Sequence, residues 1–413
     1  MKSLRATLIR RTRRERKRSP TPLVAQASPW PQEARRSSTP VVSNYSPVVQ
    51  TERIPMAEQS HGVRRSEKVR GKDVEGKIRI LDKTYPQQLT LFQTFFPDDA
   101  SDDKYSNTIE LYDAIPKYVT NPKQVDAMRE GGKYLPLMKR QFHHRGEVYL
   151  VTIRPARLVD RQGVEKEYYP GIREELVEDA LRKLALEQLN GAYFDNQAGV
   201  QFTIYQLNKE LQSLGHEFKR SSLVDALRIC SGVLLTISKE EGELVMESPI
   251  FPLLLLGRKK DWVKHPKDTR CYVKFHPLVT QSISCLTYRQ FDYASYMHYT
   301  HRLSRWLHKR LAHNYTQAGI LHPYTIRMST ILRDSGTHHS LRASNNARQV
   351  EEALTELRER DILMSFTRDV LRGPRNSLAD ITYTLLPTMA FIEEVKKANR
   401  RVKLLSTKPR DRG

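Results

Sequence analysis

Arg342, Ser344, Asn345, Asn346 and Arg348, with His339 just ahead of them, crowd the start of one amphipathic stretch near the C-terminal end of the chain. Arginine pairs in bidentate fashion with guanine and asparagine with adenine, so these are the side chains that read base edges in a major groove. A sparser set of the same kind, Lys219, Arg220, Ser222 and Arg228, opens a second stretch. Arg368, Arg372 and Arg375 surround the turn pair Gly373-Pro374 and suit contact with phosphates. Catalytic patterns are weaker. The segment 71–77 has the GxxxxGK spacing of a phosphate loop, but Ile78 follows where a Ser or Thr must hold magnesium. His339 and Arg342 have the HxxR spacing of tyrosine recombinases, for which Tyr383 would be the nucleophile, yet Tyr383 shares a strand face with Ile381 and Leu385 and reads as core. His298 and His301 have no carboxylate or thiol at helical spacing, and the adjacent acids Glu174 and Glu175, Glu240 and Glu241, and Glu351 and Glu352 read as solvated pairs. The expectation is a protein that is not an enzyme and takes no metal or cofactor.

Composition points the same way. Lys and Arg number 69 against 47 Asp and Glu, a formal charge of +22, which argues for a polyanionic partner. Residues 1–80 carry 19 basic against 7 acidic side chains among many prolines, so the segment 1–84 is expected to be a disordered basic arm. The apolar run from Ile250 to Leu256 is interrupted by Pro252 and far short of the ~20 residues that span a bilayer, and no secretory leader is evident. With three cysteines and no zinc-like spacing, the chain reads as cytoplasmic, in association with nucleoid or plasmid.

The elements that must position these residues follow from periodicity. A strand at 147–153 leads to a helix at about 171–190, a short strand at Phe202 and Ile204, a helix ended by Gly215, a third helix from Lys219, and a hairpin at 233–247. The order then recurs: a long helix at about 290–315, a strand at Tyr324 and Ile326, a helix ended by Gly336, a helix at about 340–359, a hairpin with its tip at 368–375, and a terminal helix at 387–401. Helix, strand, helix, helix, hairpin is the order of a winged helix, in which the last helix of the trio reads the major groove. The predicted fold class is therefore α+β, with two tandem winged-helix domains at 146–285 and 286–405, a linker at 85–145 before them and a basic tail at 406–413.

One short motif lies in that linker. Gln88, Leu89, Leu91 and Phe92, in the run QLTLF, offer an amide, two leucines and an aromatic ring to a partner with a polar edge beside an apolar pocket. The run is similar to the QL[SD]LF peptide by which bacterial replication proteins dock on the sliding clamp. Together with the tandem order, it makes residues 85–400 resemble the plasmid replication initiators of the TrfA type, among the iteron-binding Rep proteins. The resemblance implies binding of double-stranded origin DNA at repeated sites, origin opening, and recruitment of the host initiator DnaA and helicase DnaB, with monomer and homodimer both open. The family's reading helix corresponds to 340–359, with Arg342, Asn345, Asn346 and Arg348 in the matching positions. A winged-helix transcriptional repressor or partition regulator is the competing reading, in which a clamp motif has no place, and a tyrosine recombinase ranks last.

Overall fold

The computed structural model describes residues 104–407 except 120, 160–161, 187–190, 195, 240–243, 258–263, 266, 268, 286, 338–339 and 341. The basic arm, the segment 71–77, the clamp-like residues Gln88, Leu89, Leu91 and Phe92, His339 and most of the basic tail lie outside the described residues. What is described is an α+β fold in which all strand pairing is antiparallel.

The first half opens with β1 (Tyr105–Ile109), α1 (Glu110–Ala114), α2 (Pro122–Ala127) and the strands β2 (Met138–His144), β3 (Glu147–Arg154), β4 (Ala156–Val159) and β5 (Glu165–Tyr168). Then come α3 (Ile172–Leu186), β6 (Gly191–Phe194), β7 (Gln197–Thr203), α4 (Ile204–Ser213), α5 (Arg220–Gly232) and the hairpin β8 (Leu234–Lys239) and β9 (Leu244–Pro249). Thr203 starts α4 with a capping box: Gln206 N donates to its Oγ1 at 3.0 Å, and its own N donates to Gln206 Oε1 at 2.8 Å. This places Ile204 in the helix and not in the expected strand. The hairpin extends a sheet of order β2-β3-β8-β9, whereas β7 joins β10 (Leu253–Leu255), β11 (Arg270–Lys274) and β6 in a second sheet. The short helix α6 (Pro277–Cys285) completes this half.

The second half contains β12 (Tyr288–Asp292), α7 (Tyr293–Met297), α8 (Arg302–Asn314), β13 (Tyr324–Arg327), α9 (Met328–Ser335), α10 (Ala343–Glu359), β14 (Leu363–Arg372), β15 (Leu378–Pro387) and α11 (Met389–Thr407). Here the first strand does join the hairpin, in the order β13-β15-β14. α9 stops at Gly336, whose φ of +65° suits glycine and whose absent Cβ would lie 2.7 Å from Pro116 Cβ.

Three expectations change. The long helix at 290–315 is three elements. Tyr288–Asp292 pairs with β1, the Asp292 carboxylate accepts from Ser295 N at 2.9 Å to cap α7, and Glu356 of α10 accepts from Thr300 Oγ1 at 2.8 Å and His301 N at 3.1 Å just before α8. Tyr296, Leu303, Leu307 and Leu311 still face inward, so the apolar period runs across a break whose caps come from elsewhere in the chain. Nor is the described part of 85–145 a linker: β1 pairs with β12 in the second half, β2 pairs with β3 in the first, and Ile109, Tyr112, Ile115 and Tyr118 are buried between them. Its short elements belong to different sheets, so no single period marks them. Finally, β14 and β15 are ten residues each, which puts Arg368 and Arg372 within β14 and leaves Arg375, at φ +56°, in the turn.

The halves meet through buried charge. The Arg182 guanidinium of α3 donates to both oxygens of Asp113 at 2.8 and 2.9 Å and also to Asp179, while Lys309 of α8 donates to Asp179 at 2.7 Å. Tyr296 donates to Asp179 as well, and Arg302 and Arg305 of α8 flank Glu175 at 3.5 and 3.4 Å. All of these side chains are buried. Burial alone would raise the Asp113 carboxyl, but Arg182 and Lys309 outweigh it and hold it well below the ordinary carboxylate range. Glu174 and Glu175 are thus not solvated as expected: the first accepts from Gly171 N at 2.8 Å and from Arg173 at 2.8 Å, and the second sits in this joint. Glu240 and Glu241 lie outside the described residues.

Removing one partner of a buried ion pair strands the others. Arg182→Ala is expected to cost about 3–5 kcal/mol in urea unfolding of the full chain. Arg154→Ala, which breaks an exposed pair with Glu247, should change stability by less than about 1 kcal/mol. Equal effects would mean the joint contributes no more than surface pairing.

Candidate nucleic-acid interface

α10 follows α9 by seven residues, of which 338–339 and 341 lie outside the described residues. Arg342 is its N-cap residue and is exposed, as are Ser344 and Arg348. Asn345 is half-buried and donates from Nδ2 to Ser340 Oγ at 3.3 Å. Asn346 departs from expectation. It is buried, its Oδ1 accepts from Ser340 N at 2.7 Å and its Nδ2 donates to Ser340 O at 3.1 Å, so both ends of the amide brace the turn and neither faces a base. The reason is positional: Asn346 stands beside Ala347 and Val350 on the side of α10 that meets the core.

Ser344, Ala347, Arg348 and Glu351 follow one another at the three- and four-residue spacing of a single helical stripe. They form one wall of a shallow groove of about 230 Å³ whose other wall is Arg368, Val370 and Arg372 of β14 with Leu378 and Ile381 of β15. Arg368 crosses this groove and donates to Glu351 Oε1 at 2.8 Å. Arg348 lies 3.7 Å from Glu352 one turn on, and Arg372 donates to Asn376 O at 3.4 Å. The groove therefore gathers three arginines and a serine hydroxyl from two elements, with Arg342 at its helical end and the exposed Arg375 at the hairpin turn. Glu351 was expected to be solvated and is instead half-buried, engaged by Arg368 and by the Tyr383 hydroxyl at 3.4 Å.

In the first half, Lys219 is the exposed N-cap of α5, followed by exposed Arg220 and Ser221 and half-buried Ser222, with Arg228 exposed two turns further on. The hairpin turn that would face them, 240–243, lies outside the described residues.

The remaining candidates do not assemble. Tyr383 is fully buried on the central strand β15, and burial, with Glu351 beside it, pushes its phenol up, away from the ionised form a nucleophile needs. His298 and His301 are exposed, and His298 donates to the carbonyl of Ala294. Among the described residues no group of three or more His, Cys, Asp or Glu could hold a metal ion, and no helix is long and apolar enough to cross a membrane. Cys230 and Cys271 are buried, and burial raises both thiols.

No protein-family model matches the chain, and no curated protein does. Among solved structures it is similar to two crystal structures of domains 2 and 3 of RctB. One shows 10% identity over 61% of this chain and 91% of that one, with a TM-score of 0.40. The other shows 11% identity over 69% and 99%, with a TM-score of 0.39. It is also similar to the Pi initiator protein in complex with iteron DNA, at 9% identity over 57% and 98%, with a TM-score of 0.35.

The different placements of Arg342 and Asn346 separate in stability. Asn346→Ala should destabilise the full chain by about 1–3 kcal/mol, because it leaves the Ser340 backbone N–H and carbonyl without their partners. Arg342→Ala should stay within about 0.5 kcal/mol of the parent. Urea unfolding compares them, and equal stabilities would return Asn346 to the set of base readers.

Proposed function

We propose that this chain is a sequence-specific DNA-binding replication initiator. Its two helix, strand, helix, helix, hairpin units are tandem winged helices, and the second reads base edges at repeated origin sites. The observation that carries the reading is the convergence on one groove of Ser344 and Arg348 from the start of α10 and Arg368 and Arg372 from β14. A helix whose exposed N-terminal end offers arginine beside a basic hairpin is the arrangement that places side chains on bases and cations on the flanking phosphates. Arg342, Ser344, Asn345 and Arg348 are assigned to bases, Arg368, Arg372 and Arg375 to phosphates, and Lys219, Arg220, Ser222 and Arg228 to the backbone of the same duplex. The initiator reading, in preference to a repressor, rests on the QLTLF run and its likeness to clamp-docking peptides, and with it come the sliding clamp, DnaA and DnaB as proposed partners and the opening of a nearby duplex as proposed outcome.

Protection of DNA fragments from the neighbourhood of the gene tests the reading. Evenly spaced protected repeats are expected, and a single palindrome over a promoter would favour the repressor. At the protected site Arg342→Ala should cost about 1–3 kcal/mol and leave binding to random duplex nearly unchanged. Equal losses on both duplexes would remove the assignment of α10 to base reading.

The clamp assignment is tested separately. Leu91 and Phe92 would supply most of the docking energy, since burying a large apolar side chain is worth roughly 1.5–3 kcal/mol. Changing both to Ala should abolish capture of the full chain by immobilised bacterial sliding clamp while DNA binding persists. Loss of DNA binding in parallel would make the segment part of the folded core.

A further inference from the structure

Glu351 is an anomaly within the groove. Its neighbours there that carry charge, Arg348, Arg368 and Arg372, are all cationic, and a carboxylate beside DNA phosphates opposes binding. It is not left to solvent. Arg368 Nη1 and the Tyr383 hydroxyl both donate to its Oε1, so one oxygen ties α10 to β14 and to β15. Arg368 and Tyr383 are themselves direct neighbours across the β14–β15 ladder, which fixes the distance the arginine must reach.

Stability does not account for the arrangement. The Arg368 side chain is 58% exposed and that of Glu351 is 30% exposed, and an ion pair this wet is worth little to folding. What the pair does control is where a guanidinium points. An arginine on an exposed strand sweeps a wide volume and finds a phosphate on any duplex, whereas one held across the groove at 2.8 Å presents its remaining N–H groups in one direction only.

Building on the DNA-binding reading above, we propose that Glu351 is a specificity-determining positioning residue. It aims Arg368 at a phosphate available only when α10 is seated in register on its own site, and its charge penalises every other seating. Its contribution is thus to lower non-specific affinity more than specific affinity.

The test uses the full chain and two duplexes: the one that the parent protein enriches from a random-sequence pool, and a scrambled duplex of the same composition. Glu351→Ala is expected to tighten binding to the scrambled duplex by about three- to tenfold, as one freed arginine adds one generic phosphate contact, and to steepen its salt dependence by about one counterion. Affinity for the enriched duplex should stay within about threefold. Glu351→Gln, which keeps an acceptor for Arg368 and Tyr383 and removes the charge, should fall between parent and alanine variant. Arg368→Ala uncovers the carboxylate and should weaken binding to both duplexes, and adding Glu351→Ala to it should restore much of that loss.

Three results overturn the proposal: equal weakening on both duplexes by Glu351→Ala, which is the signature of a merely structural role; a strictly additive double variant; or a glutamine variant indistinguishable from the parent on both duplexes. A parent protein with no preference between the duplexes would instead overturn the reading of the interface on which the proposal rests.

Discussion

The buried ion cluster of Arg182, Asp113, Asp179 and Lys309 is the constraint on which the rest of the molecule hangs. It joins α3, the first helix of the first unit, to α8, the first helix of the second, through a carboxylate on α1 that precedes both. Desolvating four charges is expensive, and a well-packed apolar joint would be as stable. Charge is directional where an apolar contact is not: two helices greased by leucine can slide, whereas Arg182 satisfies both oxygens of Asp113 in one register only. The cost shows in pH. Asp113 and Asp179 are held below their ordinary range, so their contribution is complete above it and is lost as pH falls through their lowered values. Nearby, burial lowers His276 to about 3 and His308 and His313 to about 4, so these rings are neutral in the fold but protonate near 6.5 once unfolded. Stability therefore begins to erode below about pH 6.5 through the histidines, before the carboxylates respond.

From this joint α10 is one helix away. α8 packs against α3 through Arg302, Arg305 and Lys309, and against α10 on another side, where Ser304 Oγ donates to Ala353 O at 3.2 Å. Glu356 of α10 accepts the N–H of His301, so the start of α8 is capped by the very helix it supports. In the last turn of α9, Asp334 makes a similar remote contact: it accepts from His143 N at 3.1 Å on β2 and from Arg333 and Arg310 at 2.7 and 3.4 Å. Gly336 follows at once, where a side chain would strike Pro116. The C-terminal end of α9, the helix before α10, is thus held by the first half of the chain.

Helices with a private apolar stripe were legible in the sequence. α10 shows Ala347, Val350, Leu354 and Leu357 at helical spacing, and its observed span begins three residues after the expected one. What escaped was everything whose partner is remote. The break ahead of α8 needs Glu356, more than fifty residues on, and β1 needs β12. Glu175 of α3 reads as solvent-facing because it is charged, and only the arginines of α8 reveal it as buried. Asn346 and Asn345 are adjacent and of one type, yet a single step around the helix puts the first against Ser340 backbone and leaves the second partly open. Glu351 could have been picked out by its place seven residues after Ser344 on the groove stripe, but the arginine opposite it is fixed only by the strand register.

The two units share an element order and differ in how their hairpins are held, and this difference bears on what each can do. In the first, β8 lies between β3 and β9, so the hairpin is tied through its first strand to a four-stranded sheet of which β9 is an edge. In the second, β15 is central and β14 is an edge strand, with Arg368 and Arg372 on it and an open flank beside α10. An edge strand ordinarily invites pairing with another chain, and charged side chains along it are the usual protection. Here the same arginines form a wall of the groove, so the charge that keeps β14 from aggregating is also the charge proposed to meet phosphate. Under that reading the second unit supplies an exposed, adjustable surface for the duplex, while the first, with its hairpin anchored on β3 and α3 joined to α8 by the ion cluster, holds that surface in place.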